Sequence, residues 1–205
     1  MITKKAFTMP EVLLTLGIIG VVAALSMPVL VPSINSMQHK AKFQKSLNSL
    51  QNAVAANVMK DNYDFAYTTS VGAAAGDMSI YNIFSNNLDV VAVNKKGWSK
   101  NSAMFENAAN YTLFFNDGFV VTFQKTNSFG TNCTLQKPCK GIIDVNGPAN
   151  PNRMATCDSL SGSGWAENEK CLVKKDADMY PVKFFDNMVV PNSLAARAVF
   201  RGQRH

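Results

Sequence analysis

The chain has 205 residues and a mass of 22.3 kDa, with 47% apolar residues, 17% charged residues and a formal net charge of +6. That length makes one domain the default and is enough to bury an ordinary core, and the composition excludes a disordered chain, a collagen and a small cysteine scaffold. The charged fraction is below the roughly 25% of soluble domains while mean hydropathy is −0.03, so apolar and polar residues are segregated along the chain.

The segregation begins near the N-terminus. Residues 12–31 form a block of twenty without a single charge. As a helix rising ~1.5 Å per residue it is about 30 Å long, the thickness of a bilayer's hydrocarbon core. A buried core helix is the alternative, but such helices are usually shorter. Lys4 and Lys5 precede the block, which keeps the N-terminus cytoplasmic and sends the rest of the chain outside. A secretory signal cut after Ser26 is a second alternative, since Ala24-Leu25-Ser26 offers small residues at the far end. Glu11 speaks against it, because an acid between the basic and apolar regions is foreign to that signal. In the first helical turn a carboxylate opposes the positive end of the helix dipole, and in hydrocarbon it seeks a cation. The plainer alternative leaves Glu11 at the headgroup level.

The stretch from Lys4-Lys5-Ala6-Phe7-Thr8-Met9-Pro10-Glu11 into Val12-Leu13-Leu14-Thr15-Leu16-Gly17-Ile18-Ile19-Gly20 resembles the class III signal of type IV pilins and type II secretion pseudopilins. The resemblance covers about the first thirty residues. It implies cleavage by a prepilin peptidase between Ala6 and Phe7, methylation of the Phe7 amine, and a Glu11 carboxylate that meets the Phe7 amine of a neighbouring subunit during assembly. The chain departs from the family in having Ala6 where Gly is usual and Met9-Pro10 where Leu-Ile or Leu-Ala is common. Pro10 falls in the first helical turn, where a missing N–H costs little.

Pro28 and Pro32 predict a bend at the end of the apolar block. Beyond them Ile34, Met37, Ala41, Leu47, Leu50, Val54 and Val58 recur at three- and four-residue steps, which predicts one apolar stripe on a helix running to about Lys60. Lys40, Lys42 and Lys45 lie on the other face, which reads as solvated or as a site for acidic headgroups or nucleic acid. Residues 61–110 are mixed, with a small-residue loop at 72–76 and a short helix predicted over 80–88. Residues 111–115 and 119–123 flank Asn116-Asp117-Gly118 and predict a β-hairpin; 141–145 predicts a third strand, and 182–185 with 188–190 a weaker hairpin about Asp186-Asn187.

Cys133, Cys139, Cys157 and Cys171 all fall in the exported part, where an even count reads as disulfides. Three pairings are open, and sequential pairing is the simplest because each pair is local. Zinc is the competing reading, but there is no CxxC, and His39 and His205 are remote. Residues 144–152 are dense in oxygen ligands and turn formers. They read either as an Asx-rich turn or, by resemblance to pseudopilins that hold calcium in a C-terminal loop, as a calcium site using Asp144, Asn146, Asp176 and Asp178. No other cofactor is implied. GxSxG, HExxH and GxxxxGK[ST] are all missing, and the aromatic residues fall in strand segments as core, so neither an enzyme nor a specific nucleic-acid binder is expected.

These readings combine into an α+β chain: a leader at 1–6, a membrane or filament-core helix at 7–31, and an extracytoplasmic head at 32–205 built on a small antiparallel sheet. The resemblance implies a pilin-like fold and a structural subunit, major or minor, of a type IV pilus or type II secretion filament. Its expected partners are prepilin peptidase, other pilin or pseudopilin subunits, an inner-membrane assembly platform and membrane lipid. The alternative is a membrane-anchored or secreted binding domain.

Overall fold

A computed structural model describes residues 8–69, 78–94, 110–124, 132–161, 170–174 and 176–202. The cleavage pair Ala6 and Phe7 and the small-residue loop at 72–76 lie outside the described residues. The chain starts with one helix, α1 (Met9–Asp61), of 53 residues. Thr8 enters it in an extended conformation, Pro10 sits in its first turn, Lys60 lies in its last, and Asn62 ends it in the left-handed region at φ 56. The backbone stays helical through Pro28 and Pro32, so the two prolines do not end the helix.

The second half of α1 buries one face. Ser36, Phe43, Leu47, Leu50, Val54 and Asn57 are buried, one seven-residue step followed by alternating four- and three-residue steps. This corrects the predicted stripe: Leu47, Leu50 and Val54 belong to it, but Met37 and Ala41 are exposed, and Phe43 takes the central place. The buried Asn57 has a structural task. Its Nδ2 donates to Tyr63 O at 2.9 Å and its Oδ1 accepts from Asn87 at 3.3 Å, which ties the turn after α1 to the next helix.

After a 3-10 turn at Phe65–Tyr67 come α2 (Ile80–Ser85) and strands β1 (Val90–Asn94), β2 (Asn110–Phe115), β3 (Val120–Gln124), β4 (Cys139–Asp144), β5 (Cys157–Ser161), β6 (Lys170–Val173), β7 (Met179–Phe185) and β8 (Met188–Pro191), then α3 (Leu194–Phe200). Ser79 caps α2 through a 3.0 Å bond from Asn82 N, and the helix stops at Ser85 rather than at residue 88. The main sheet has the order β1-β2-β3-β4-β7-β8, with every neighbouring pair antiparallel, and β5 pairs with β6 in a separate two-stranded sheet. An N-terminal helix on an antiparallel sheet is an α+β arrangement. β1, β5, β6 and α3 are elements the sequence reading did not foresee.

One face of the sheet meets α1 through aromatic residues. Phe43 stacks on Tyr180 at 4.3 Å, and Phe84 lies 5.8 Å from both Phe65 and Phe184. Gly141 makes room for this: a Cβ there would lie 2.5 Å from Phe184 Cε2 and 2.9 Å from Thr122 O. Gln51 of α1 closes the β8 edge by accepting from Val189 N at 3.0 Å, so that edge is not left to pair with another chain. Disulfides join Cys133 to Cys139 and Cys157 to Cys171, with Cα separations of 5.2 and 5.3 Å.

Candidate functional site

Two regions carry the chemistry singled out in the sequence. The first is the front of α1. The segment Met9–Ser26 is long and apolar enough to cross a membrane, and none of it is buried. Leu13, Leu16, Ile19, Val22 and Leu25 are 60–72% exposed. Fully burying side chains of this kind is worth about 1.5–3 kcal/mol each, so this stretch has a strong drive into an apolar surrounding. The two hydroxyls within it are already satisfied: Thr15 Oγ1 donates to Val12 O at 3.0 Å and Ser26 Oγ to Val22 O at 2.9 Å. That suits a medium with no water to replace those bonds. Nothing lies within 4 Å of where a Cβ would sit on Gly17 or Gly20, and Leu13, Leu14, Ile18, Val21 and Val22 border the shallow notch at Gly17.

At the tip of this helix Glu11 Oε2 accepts from the Thr8 backbone N–H at 3.1 Å and from the Thr8 hydroxyl at 3.0 Å. Glu11 is thus the third helical residue reaching back to its own N-cap, half of a capping box. The sequence reading gave Glu11 a cation partner but did not name Thr8, although the T-x-x-E spacing signals this contact. The Phe7 amine lies outside the described residues.

The second region is the turn after β4 together with the entry to β7. The β4–β7 register sets Asp144 opposite Met179, which brings Asp144 close to Asp178 across thirty-odd residues of sequence. Both carboxylates are buried. Asp178 Oδ2 accepts from Asn152 N at 2.7 Å and Oδ1 from Arg153 N at 2.6 Å. Asp144 Oδ1 accepts from Asn146 N at 3.2 Å and from Gly147 N at 3.0 Å. With its amide oriented by this network, Asn152 donates to Gly147 O at 3.1 Å and to Asp144 Oδ2 at 3.2 Å. Burial, and then the Asp178 charge, push the Asp144 carboxyl up to about 7 against the opposing pull of the two N–H bonds. The same burial and the same charge raise the Tyr180 hydroxyl, which donates to Ala177 O at 3.1 Å.

Of the four calcium candidates, the structure gathers Asp144, Asn146 and Asp178, while Asp176 turns outward into an ion pair with Arg153. Calcium would need six to eight oxygens converging at about 2.3–2.6 Å. Here three of the four carboxylate oxygens of Asp144 and Asp178 are committed to backbone N–H groups, and the fourth takes the Asn152 amide. Asn146 Oδ1 is the one buried side-chain oxygen or nitrogen without a partner among the described residues. Among those residues no group of three or more His, Cys, Asp or Glu could hold a metal. The chain's own donors thus occupy all four carboxylate oxygens of Asp144 and Asp178.

The loop's position follows from α1. A 3.3 Å bond joins the His39 ring to Ala177 O, so the loop lies beside a residue about 20 Å along the helix from Ser26. Of the basic residues on α1, Lys45 pairs with Asp117 at 2.9 Å in an exposed bridge of small energetic value, and burial lowers the Lys40 ammonium. Comparison with protein-family models, with curated proteins and with solved structures found no match.

Proposed function

We propose that the chain is a structural subunit of a cell-envelope filament, a pilin or pseudopilin of a type IV pilus or type II secretion assembly. The observation that carries this is α1 itself: one unbroken helix whose leading segment Met9–Ser26 is bare and apolar and whose later turns, from Phe43 to Asn57, are packed on the head. Such a helix has use for a second apolar environment, first lipid and then the helices of neighbouring subunits. The disulfides agree with an extracytoplasmic head, since they persist in oxidising compartments. The Lys4–Glu11 signal supplies the rest: cleavage after Ala6 frees the Phe7 amine, the head stays outside, and the open notch at Gly17 lets a neighbouring helix come close.

A second reading rests on Ala24-Leu25-Ser26, which would release the head as a secreted binding domain. N-terminal sequencing and intact mass of the exported protein separate the two. A methylated Phe7 at the new N-terminus supports the filament subunit; a start at Met27 ends it.

A further inference from the structure

The turn after β4 holds a reactive pair. Asn146-Gly147 is the one Asn-Gly step in the sequence. An asparagine side-chain amide is most easily attacked by the following backbone nitrogen when that residue is glycine, because no side chain hinders the approach. The fold cannot remove the hazard by replacing the glycine. Gly147 sits at φ +61, and a Cβ there would lie 3.2 Å from Gly118 O and 3.3 Å from Val120 Cγ2.

The attacking nitrogen is held instead. Gly147 N–H donates to the buried Asp144 Oδ1 at 3.0 Å, and the Asn146 backbone N–H shares that oxygen. Attack requires Gly147 N to give up its proton, and creating an anion beside a buried carboxylate that accepts that proton is costly. The electrophile is held as well: Asn146 Nδ2 donates to Asn150 O at 3.1 Å, while Oδ1 is buried with no partner among the described residues.

We propose that Asn146 is a latent deamidation site held closed by Asp144. When the hold is lost, Gly147 N loses its proton to solvent and bonds to Asn146 Cγ. The Cγ–Nδ2 bond breaks, and the nitrogen leaves as ammonia. Water then opens the succinimide at either carbonyl, leaving an aspartyl or isoaspartyl residue at position 146. The product adds a third carboxylate beside Asp144 and Asp178, where a further charge is opposed by both. Deamidation therefore loosens the loop irreversibly.

The test uses the full chain in detergent with its disulfides intact, incubated in mildly alkaline buffer and digested with trypsin. The peptide Gly141–Arg153 carries Asn146, and the peptide Phe184–Arg197 carries Asn192, whose N–H bonds to Pro181 O, as an internal control. Fragment masses locate the single-dalton gain. In the folded chain Asn146 converts at least about tenfold more slowly than in urea, the ratio expected of one charge-assisted hydrogen bond. Asp144→Ala, and to a lesser degree Asp144→Asn, accelerates Asn146 in a chain still folded by circular dichroism, while Asn192 stays unchanged. Equal rates in folded and urea-unfolded protein overturn the proposal. So does an unaltered Asn146 rate in whichever of the two variants folds.

Discussion

The Asp144 carboxyl makes the head more stable in acid, and the sign follows from linkage. Its folded value is pushed up to about 7 from an ordinary 3.8, so between those values the folded state binds more proton than the unfolded state. Its contribution is fully present below the unfolded value and is lost as pH rises through about 7. At ~1.36 kcal/mol per pH unit the span is worth on the order of 4 kcal/mol. Urea unfolding of the disulfide-intact chain, followed by circular dichroism from pH 4 to pH 8, should show stability falling across that range by about this amount. Asp144→Asn keeps an oxygen to accept from Asn146 and Gly147, and Asn152 can turn its amide to accept from the new NH2 group. The variant should lose the dependence and exceed the unaltered chain at neutral pH. An equal slope in Asp144→Asn, or stability rising with pH in the unaltered chain beyond what the variant shows, would sink the argument.

Phe43 has no exposed surface and stacks on Tyr180, so Phe43→Ala should cost about 3–5 kcal/mol in the same urea assay; a loss under about 1 kcal/mol would mean that α1 is not seated on β7. Replacing Cys157 and Cys171 together by serine opens a loop with a sequence separation of 14 and should cost about 3 kcal/mol. Non-reducing peptide mapping should find Cys133 joined to Cys139 and Cys157 to Cys171, with no free thiol in exported protein. Glu11→Ala should leave membrane insertion intact and reduce recovery in sheared or purified filaments; normal incorporation counts against a role for that carboxylate in assembly.

The hairpin β2–β3 was legible because its pattern is local. Tyr111, Leu113 and Phe115 alternate toward the core, and Gly118 supplies φ 82 in the turn. β1 has no such alternation: Val91, Ala92 and Val93 are all exposed at the sheet edge. α3 does carry a local signal, an N-cap serine: Ser193 stands three residues before Ala196 and accepts its N–H at 3.1 Å. The apolar pattern of α1 gives its buried stripe partly the wrong phase, because hydrophobicity and burial part company there. Ser36 and Asn57 are inside while Met37 and Met59 are outside, and Asn57 is inside because Tyr63 and Asn87 complete its bonds.

The loop after β4 shows why its chemistry could be listed from the sequence but not assembled. Asp176 and Asp178 look alike in the sequence, yet only Asp178 is buried beside Asp144, and that choice depends on the β4–β7 register and on Arg153 taking Asp176. A register pairing Asp144 with Met179 also sets Val145 N against Asp178 O at 3.0 Å, which leaves the two carboxylates little freedom to separate. Their mutual repulsion is therefore met in place, by four backbone N–H groups and by the proton that Asp144 retains up to about pH 7. The same N–H groups that make this acid pair tolerable also restrain the Asn146-Gly147 step. A change that frees Asp144 should thus affect both acid-dependent stability and chemical lifetime, though one is read within a titration and the other only after prolonged incubation.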